Sequence, residues 1–333
     1  MNRSQLLENW IQHQFPGMPF TLQPTSADAS FRRYFRVRIG DKTLIVMDAP
    51  PAQEDCAPFI HVAKLLANAV HVPKIHGQDA SQGFLLLSDL GDLTYLRALT
   101  EQPETAHRLY AQATDALVSM QLIQTLENLP AYDEKLLRFE LNLFPEWYIA
   151  SHLQVELSDK QKKALGQVFT RILQNNLAQP CVFVHRDYHS RNLMVSEPNP
   201  GILDFQDAVA GPVTYDLVSL FKDAYIQWDE AQILDWTIRY WEKARRAGVP
   251  VQRDFGDFYR DFEWMGVQRH IKVLGIFARL AYRDGKHAYL DDMPLVMRYL
   301  RKTCERYHEL SRLLNLLDEL GENESNRKIG YTF

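Results

Sequence analysis

Three oxygen-bearing side chains, Asp187, Asn192 and Asp204, carry the strongest chemical signal in this chain of 333 residues. They lie in the stretch 181–216. It begins with an apolar Cys-Val-Phe-Val and continues as His185-Arg186-Asp187-Tyr188-His189-Ser190-Arg191-Asn192 and Leu-Met-Val. A Pro/Gly turn over 196–201 then leads to Ile-Leu-Asp204-Phe205. Short apolar runs on either side of a Pro/Gly turn predict buried strands, with the polar residues at strand ends facing a cleft. Asp187 and Asn192 are near enough in sequence to share one loop, and the turn can bring Asp204 back beside both. Asn and Asp oxygens are the hard ligands that Mg²⁺ prefers, with water and substrate phosphates completing its octahedron. Asp187, left off the metal, could accept the proton of an attacking hydroxyl. An Asp base, an Asn five positions on and a second metal-binding Asp downstream are the parts that position a γ-phosphoryl group for transfer. The alternative is a chance His/Asp loop between strands, and the downstream Leu-Asp-Phe weighs against it.

Composition narrows the setting. Hydrophobic residues make up 46% and charged residues 24% of the chain, ordinary for a soluble globular protein, and the length allows two lobes with separate cores. A formal net charge of −5 argues against a nucleic-acid partner, which would call for a basic stripe. Cys56, Cys181 and Cys304 are odd in number and widely spaced, as reduced thiols are, rather than a disulfide framework or zinc site. Residues 1–17 lack the apolar core of a signal peptide and no segment reaches membrane-spanning length. A cytoplasmic protein with no membrane partner is therefore expected.

The elements that must hold the 181–216 stretch are legible from periodicity. Residues 4–15 place Leu6, Leu7, Trp10 and Ile11 at helical spacing before Pro16-Gly17. Between 20 and 48 the period becomes two. Phe31, Arg33, Phe35 and Val37 share one strand face, Arg32, Tyr34, Arg36 and Arg38 the other, and Gly40-Asp41 makes a hairpin turn to a return strand over 43–48. A helix over 57–69 precedes an apolar strand that runs over 83–91 into a polar turn, where Asp92 is expected to cap a helix over 93–99. An amphipathic helix follows over 104–122. Residues 126–180 read as two more helices, the second with a Ser158/Gln161 capping box. Helices over 229–247, 254–282 and 293–320 end at Gly248, Asp284-Gly285 and Gly321. The middle one carries Glu263, Gln268, Arg269, His270 and Lys272 in an apolar context. One of its faces is expected to line a pocket, with Gly266 permitting close approach and Arg269 and His270 meeting an anionic group.

The 185–192 and 203–205 segments, with Gly211-Pro212-x-x-Tyr215-Asp216-Leu217, resemble the catalytic and metal-binding loops of the aminoglycoside-phosphotransferase and choline-kinase branch of the protein-kinase-like fold. His189 replaces the Lys usual in protein kinases, Gln206 replaces the Gly of Asp-Phe-Gly, and no room for an activation loop separates Asp204 from Asp216. The resemblance implies an α+β, bilobal fold: a small lobe with an antiparallel sheet over 1–89, which binds nucleotide, and a larger, mainly helical catalytic and substrate lobe over 90–333. It implies ATP and Mg²⁺ as cofactors, Asp187 as catalytic base, Asn192 and Asp204 as metal ligands, and His185 and Asp216 as supports of the catalytic loop. The phosphate-covering loop, 25–30, holds no glycine, so its backbone approaches phosphates less freely. Ser26 and Ser30, with an arginine of the next strand, are the candidates to do that work. Met47 stands where the family has its phosphate-pairing Lys. One of Arg32, Arg33 and Arg36 is expected to replace it, Arg33 or Arg36 being best placed, and the partner acid is left open between Glu54 and Asp55. Leu87, Ser88, Asp89 and Leu90 resemble the hinge that meets adenine. The insertion at about 126–180 resembles the substrate wall of small-molecule kinases, with Glu140, Glu146, Trp147 and His152 as its candidates and His189 beside them.

Residues 26–36, 46–51 and 268–280 are further similar to the anomeric amino-sugar kinases of bacterial cell-wall recycling, Met47 included. That likeness implies phosphorylation of the C1 hydroxyl of N-acetylmuramate or N-acetylglucosamine, with Arg269 or His270 receiving the lactyl carboxylate, by a protein expected to be monomeric. An aminoglycoside or other small-alcohol phosphotransferase, and a non-catalytic nucleotide-binding scaffold, stay open as alternatives, as do the preferred sugar and its anomer.

Overall fold

The computed structural model describes residues 2–27 and 31–329, the side chains of 26, 27 and 322–329 excepted. In chain order the elements are α1 (Arg3–Gln14), β1 (Thr21–Ala27), β2 (Arg33–Ile39), β3 (Lys42–Asp48), α2 (Ala57–Leu66), β4 (Ile75–Asp79), β5 (Phe84–Ser88), α3 (Tyr95–Glu101) and α4 (Ala106–Gln121). Then come α5 (Glu134–Leu143), a π-helical segment (Phe144–His152), α6 (Asp159–Leu177), β6 (Cys181–Val184), β7 (Leu193–Met194), β8 (Gly201–Ile202) and β9 (Val209–Pro212). The chain closes with α7 (Tyr215–Phe221), α8 (Glu230–Ala247), α9 (Phe255–Asp284), α10 (Met293–Arg306) and α11 (Ser311–Ile329). An antiparallel sheet in the N-terminal part and a mostly helical remainder make the α+β class expected from the sequence. The contacts divide the chain into two compact units: Met1–Ala116 with Arg191–Ala208, and Leu117–Ser190 with Val209–Phe333. Among the described residues no helix is long and apolar enough to cross a membrane.

The first unit is built on an antiparallel sheet of order β1-β2-β3-β5-β4. α1 starts where Asn2 and Gln5 cap each other reciprocally, at 2.9 and 3.1 Å. Its apolar stripe, Leu7, Trp10 and Ile11, packs on Val37, Ile39, Val46, Phe84 and Leu86. Strict alternation along β2 turns Val37 and Ile39 to that core and leaves Arg36 on the opposite face. The β2–β3 register runs from Arg33 opposite Asp48 to Ile39 opposite Lys42, with Gly40 at φ +56° making the turn. Met47 is fully buried, opposite Tyr34 and Leu85. Asp92 does not cap α3. Thr94 does, accepting the Arg97 N–H at 3.2 Å, because the Asp92 carboxylate is taken by Arg36. The β7–β8 hairpin is pinned by Asn199, whose Nδ2 donates to Tyr95 Oη at 2.8 Å and Gln112 Oε1 at 2.6 Å.

In the second unit β6 and β9 pair from Cys181 opposite Pro212 to Val184 opposite Val209, and α9 is the axis. Residues 262–275 of α9 are buried on every side, as expected of a helix packed all round. α5, the π-helical segment, α6, α7, α8 and α10 all lie against it. The glycine that matters for this packing is Gly275, not Gly266. A Cβ at 275 would sit 2.5 Å from the Leu143 carbonyl carbon, whereas at 266 it would find its nearest neighbour, on His270, at 3.7 Å. The Ser158/Gln161 capping box is present, Ser158 N–H donating to Gln161 Oε1 at 2.9 Å. Gly248 and Gly285 close α8 and α9 in the left-handed region at φ +88° and +70°. The single helix expected over 293–320 is two. Tyr307 turns extended to send its hydroxyl to Glu263 Oε2 at 2.8 Å, and Leu310 is fully buried, so tertiary contacts override helical periodicity there.

Candidate active site

The chain passes from the second unit to the first between Ser190 and Arg191. Asp187 is therefore positioned by one unit, and Asn192 and Asp204 by the other.

The loop that carries Asp187 is braced at its start. The N–H groups of His185 and Arg186 donate to the two oxygens of Asp216, at 2.6 and 3.0 Å. Burial pushes the Asp216 carboxyl up to about 7, against the pull of these two N–H groups. His185 is fully buried and its Nδ1 accepts the Asp187 N–H at 3.3 Å. Arg186 adopts φ +76°, a conformation costing a non-glycine residue about 1–3 kcal/mol. It is pinned there from three sides: by Asp216, by Glu140 Oε1, which accepts from Nη2 at 2.7 Å, and by Arg269, whose Nη1 donates to the Arg186 carbonyl at 2.9 Å. At the far end Ser190 donates its N–H and hydroxyl to Asp223 at 3.0 and 2.5 Å. The His189 ring meets Tyr225 edge-on at 5.5 Å.

Beneath this loop lies a buried charge network. Glu140, on α5, accepts from Tyr132 Oη (2.5 Å), Arg186 Nη2 (2.7 Å), Lys272 Nζ (2.9 Å) and Gln268 Nε2 (3.0 Å). Lys272 and Arg269 both donate to the Tyr215 hydroxyl, at 2.9 and 3.2 Å. Desolvation would raise the Glu140 carboxyl, but Lys272 and Arg186 hold it below the usual range. The same balance acts on Asp187. Desolvation pulls its carboxyl up, and Lys272, Arg269, His189 and Arg186 together draw it well below the usual carboxylate range. Asp187 remains the exposed member, with 40% of its side chain accessible and Arg269 Nη2 at 3.9 Å. An anion held so firmly is a weak base that stays ionised and can accept a hydrogen bond.

In the first unit Asn192 and Asp204 face each other across the mouth of the β7–β8 hairpin, where Leu203 N–H donates to Asn192 O at 2.9 Å. Asn192 Nδ2 donates to Asp204 Oδ2 at 3.3 Å, and Gln206 Nε2 to Asp204 Oδ1 at 2.7 Å. Asp204 sits at φ +62°, and the neighbouring Phe205 ring is locked against Phe59, 4.7 Å between centroids. Among the described residues no three His, Cys, Asp or Glu side chains form a metal cage. The donor set suits Mg²⁺ instead, which takes one or two protein oxygens and completes its shell with water and phosphate.

Several other expected positions have different surroundings from those anticipated. Arg269 and His270 are buried inside the second unit. Arg269 is committed to Arg186 and Tyr215, while His270 stacks on Tyr299 at 5.3 Å and its Nε2–H donates to Lys222 O at 3.3 Å. Both lie in the stretch of α9 whose residues are all buried. Glu140 is the hub of the loop's support rather than part of a substrate wall, whereas Glu146 is exposed. His152 Nδ1 bonds the Tyr282 hydroxyl at 2.9 Å. Arg33 pairs with the buried Asp48, and Arg36 with Asp89 (2.6 and 3.0 Å) and Asp92. Arg36 is thus held by two carboxylates, Arg33 shares Asp48 with Arg3 and keeps 47% of its side chain accessible, and Asp89 is not a free hinge group. Arg32 is the better-enclosed cation. It pairs with Glu54 at 3.1 Å, and among its charged neighbours is Asp207, three positions after Asp204. Leu87 is buried, and Ser88 Oγ accepts the Lys74 N–H at 2.9 Å while Leu90 borders Gly201. Ser30 and the Ser26 side chain lie outside the described residues. Sequence reasoning missed the roles of Lys272, Tyr132, Gln206 and Asp223. Only the i, i+4 spacing of Gln268 and Lys272, which puts both on one helix face toward one partner, could have signalled part of it.

A sequence profile of the phosphotransferase enzyme family matches residues 21–249. The N-acetylmuramate/N-acetylglucosamine kinase of Pseudomonas aeruginosa is 51% identical over 329 residues, 96% of this chain and 97% of that protein. The protein of the same name from Neisseria meningitidis serogroup B is 49% identical over 336 residues, covering 100% of both. Among solved structures, the choline kinase LicA from Streptococcus pneumoniae superposes with a TM-score of 0.63 at 10% identity, covering 90% of this chain and 99% of that one. The GDP complex of aminoglycoside 2'-phosphotransferase-IIIa gives 0.61 at 15%, covering 92% and 100%.

Proposed function

Because this chain belongs to the phosphotransferase enzyme family, we propose that it transfers the γ-phosphoryl group of ATP to the C1 hydroxyl of an amino sugar. The acceptor is N-acetylmuramate, N-acetylglucosamine or both, and the product is the sugar 1-phosphate, in peptidoglycan recycling in the cytoplasm. The observation that carries this reading is identity near 50%, along the full chain, to two kinases named for those sugars. Two solved neighbours hold ADP or GDP, so the choice of ATP over GTP is part of the proposal.

Asp187 accepts the hydrogen of the attacking hydroxyl and orients its oxygen lone pair. The loose transition state of phosphoryl transfer asks more for position than for basicity. A hemiacetal hydroxyl, more acidic than an ordinary alcohol, suits an acceptor whose cationic surroundings leave it weakly basic. Asn192 and Asp204 hold Mg²⁺, which when bound neutralises phosphate charge, and Gln206 keeps Asp204 in register. Arg32, with Glu54 as its acid, stands in for the strand lysine that Met47 replaces. Residues 1–89 form the nucleotide lobe and 90–333 the catalytic and substrate lobe.

A coupled ADP-release assay across amino sugars, aminoglycosides and small alcohols, with phosphorus NMR of the product, tests the reading. Turnover of N-acetylmuramate or N-acetylglucosamine to an anomeric phosphate is expected. Turnover confined to an aminoglycoside or choline, or phosphate on another hydroxyl, would overturn it.

A further inference from the structure

A polar cavity lies in the same unit as Asp187, on another side of α9. It is enclosed by the first turn of α8, by α9 and α10, and by the segment that follows α7. Glu263 on its floor is six residues before Arg269 on α9, roughly 9 Å along the helix axis. Its space is about 40 Å³. One water needs roughly 10–15 Å³ of such space, so the cavity takes three or four waters or one tetrahedral oxyanion.

The lining has more positive than negative charge. Lys222, Arg298, Lys302 and Arg306 face it, against the carboxylates of Glu230 and Glu263. Glu263 is shared by Lys222, at 3.5 Å, and Arg306, and Glu230 is shared by Arg306 and Lys302. Two carboxylates thus pair with three of the four cations. On the inner wall the Tyr299 hydroxyl is buried; the Trp228 backbone N–H points to its oxygen, while its own proton finds no acceptor among the described residues, a cost of about 1–3 kcal/mol unless something accepts it. Surplus positive charge, a buried donor without an acceptor and a void of this size together describe a receptor for an anion.

We propose that this cavity binds a small, doubly charged oxyanion, a free phosphate or the phosphate group of a phosphomonoester. Lys222 and Tyr299 meet it from the floor, and Arg298 and Lys302 meet it at the mouth. The floor is continuous with the loop that bears Asp187. Lys222 is followed by Asp223, which accepts both bonds from Ser190, and Tyr225 meets His189. An occupant of the cavity therefore sits one residue from the far anchor of that loop.

The test is calorimetric titration of the full-length protein with inorganic phosphate at constant ionic strength, repeated with glucose 1-phosphate. One saturable site with Kd of about 1 mM or below is expected. The Arg298→Ala/Lys302→Ala double variant, whose altered side chains lie at the mouth, should melt like the parent and bind roughly tenfold more weakly or worse. Tyr299→Phe, which keeps the ring on His270, should also weaken binding, by roughly tenfold. Asp187→Asn should titrate as the parent does. Tighter binding of glucose 1-phosphate would identify a phosphomonoester site, and equal or weaker binding a free-phosphate site. Absence of saturable binding, undiminished affinity in the double variant, or loss of binding in Asp187→Asn would each overturn the proposal.

Discussion

Asp187 and Asp204 are both carboxylates proposed to serve one reaction, and the molecule secures them by opposite means. Asp187 sits over a lattice of full charges: Arg269 at 3.9 Å, then Lys272 and Arg186, both anchored to the buried Glu140. Asp204 is fixed by neutral amides from Asn192 and Gln206 and by its own left-handed backbone. The first arrangement neutralises an anion in place, leaving a group that accepts a hydrogen bond and changes charge with difficulty. The second adds amide hydrogen bonds that restrict the geometry of the carboxylate.

The comparison can be broken at either end. Asp187→Asn removes the acceptor while its backbone bonds remain, so kcat should fall by about 10²–10⁴-fold, with a modest drop in melting temperature from the lost attraction to Lys272 and Arg269. A loss of less than tenfold would mean that Asp187 is not the acceptor. Next in size is the charged lattice itself. Glu140→Gln or Lys272→Met should each cost about 3–5 kcal/mol in urea unfolding, because each strands a buried opposite charge. The double variant should cost clearly less than the two added. Strict additivity would show that the two side chains do not interact. On the amide side, Gln206→Ala should raise the Mg²⁺ concentration for half-maximal rate by roughly tenfold. It should weaken Mn²⁺ binding, followed by electron paramagnetic resonance with nucleotide, to the same degree, with stability little changed.

A further effect concerns a neutral group set among the cations. Burial, with Lys222 and Arg269 close by, lowers His270 to about 3, against about 6.5 in an unfolded chain. The unfolded state therefore takes up the proton first. The contribution of His270 to stability is complete above about 6.5 and is lost as pH falls through the window down to 3, reaching about 2 kcal/mol at pH 5. Unfolding measured at pH 7 and pH 5 should show a larger drop for the parent than for His270→Gln, and equal drops would exclude His270 as the source.

What was legible in the sequence was local. Asp187, Asn192 and Asp204 stood out by spacing, the Ser158/Gln161 box and the Gly248 and Gly285 stops by a few neighbouring residues, and α1 by its stripe. These features depend on contacts within a turn or two. Glu140 could not be read, since its four partners come from positions 132, 186, 268 and 272, and a lone buried acid looks the same in sequence as one on a pocket wall. Arg269 and His270 misled for the same reason: polar residues in an apolar helix signal a partner without saying whether it is protein or ligand. The break at Tyr307 is set by Glu263, 44 positions away, against a periodicity that continues through it. Arg33 and Arg36 looked available until their acids at 48, 89 and 92 were placed beside them.

Gly275 gives the charged lattice a mechanical gauge. α9 bears Gln268, Arg269 and Lys272, α5 bears Glu140, and the two helices touch closely where Gly275 meets Leu143 at the end of α5. A single methyl group there would act as a shim, prising the backbones apart beside ion pairs whose 2.9 Å length tolerates little stretch. The missing side chain of one glycine thus sets the tension under which a distant aspartate is held.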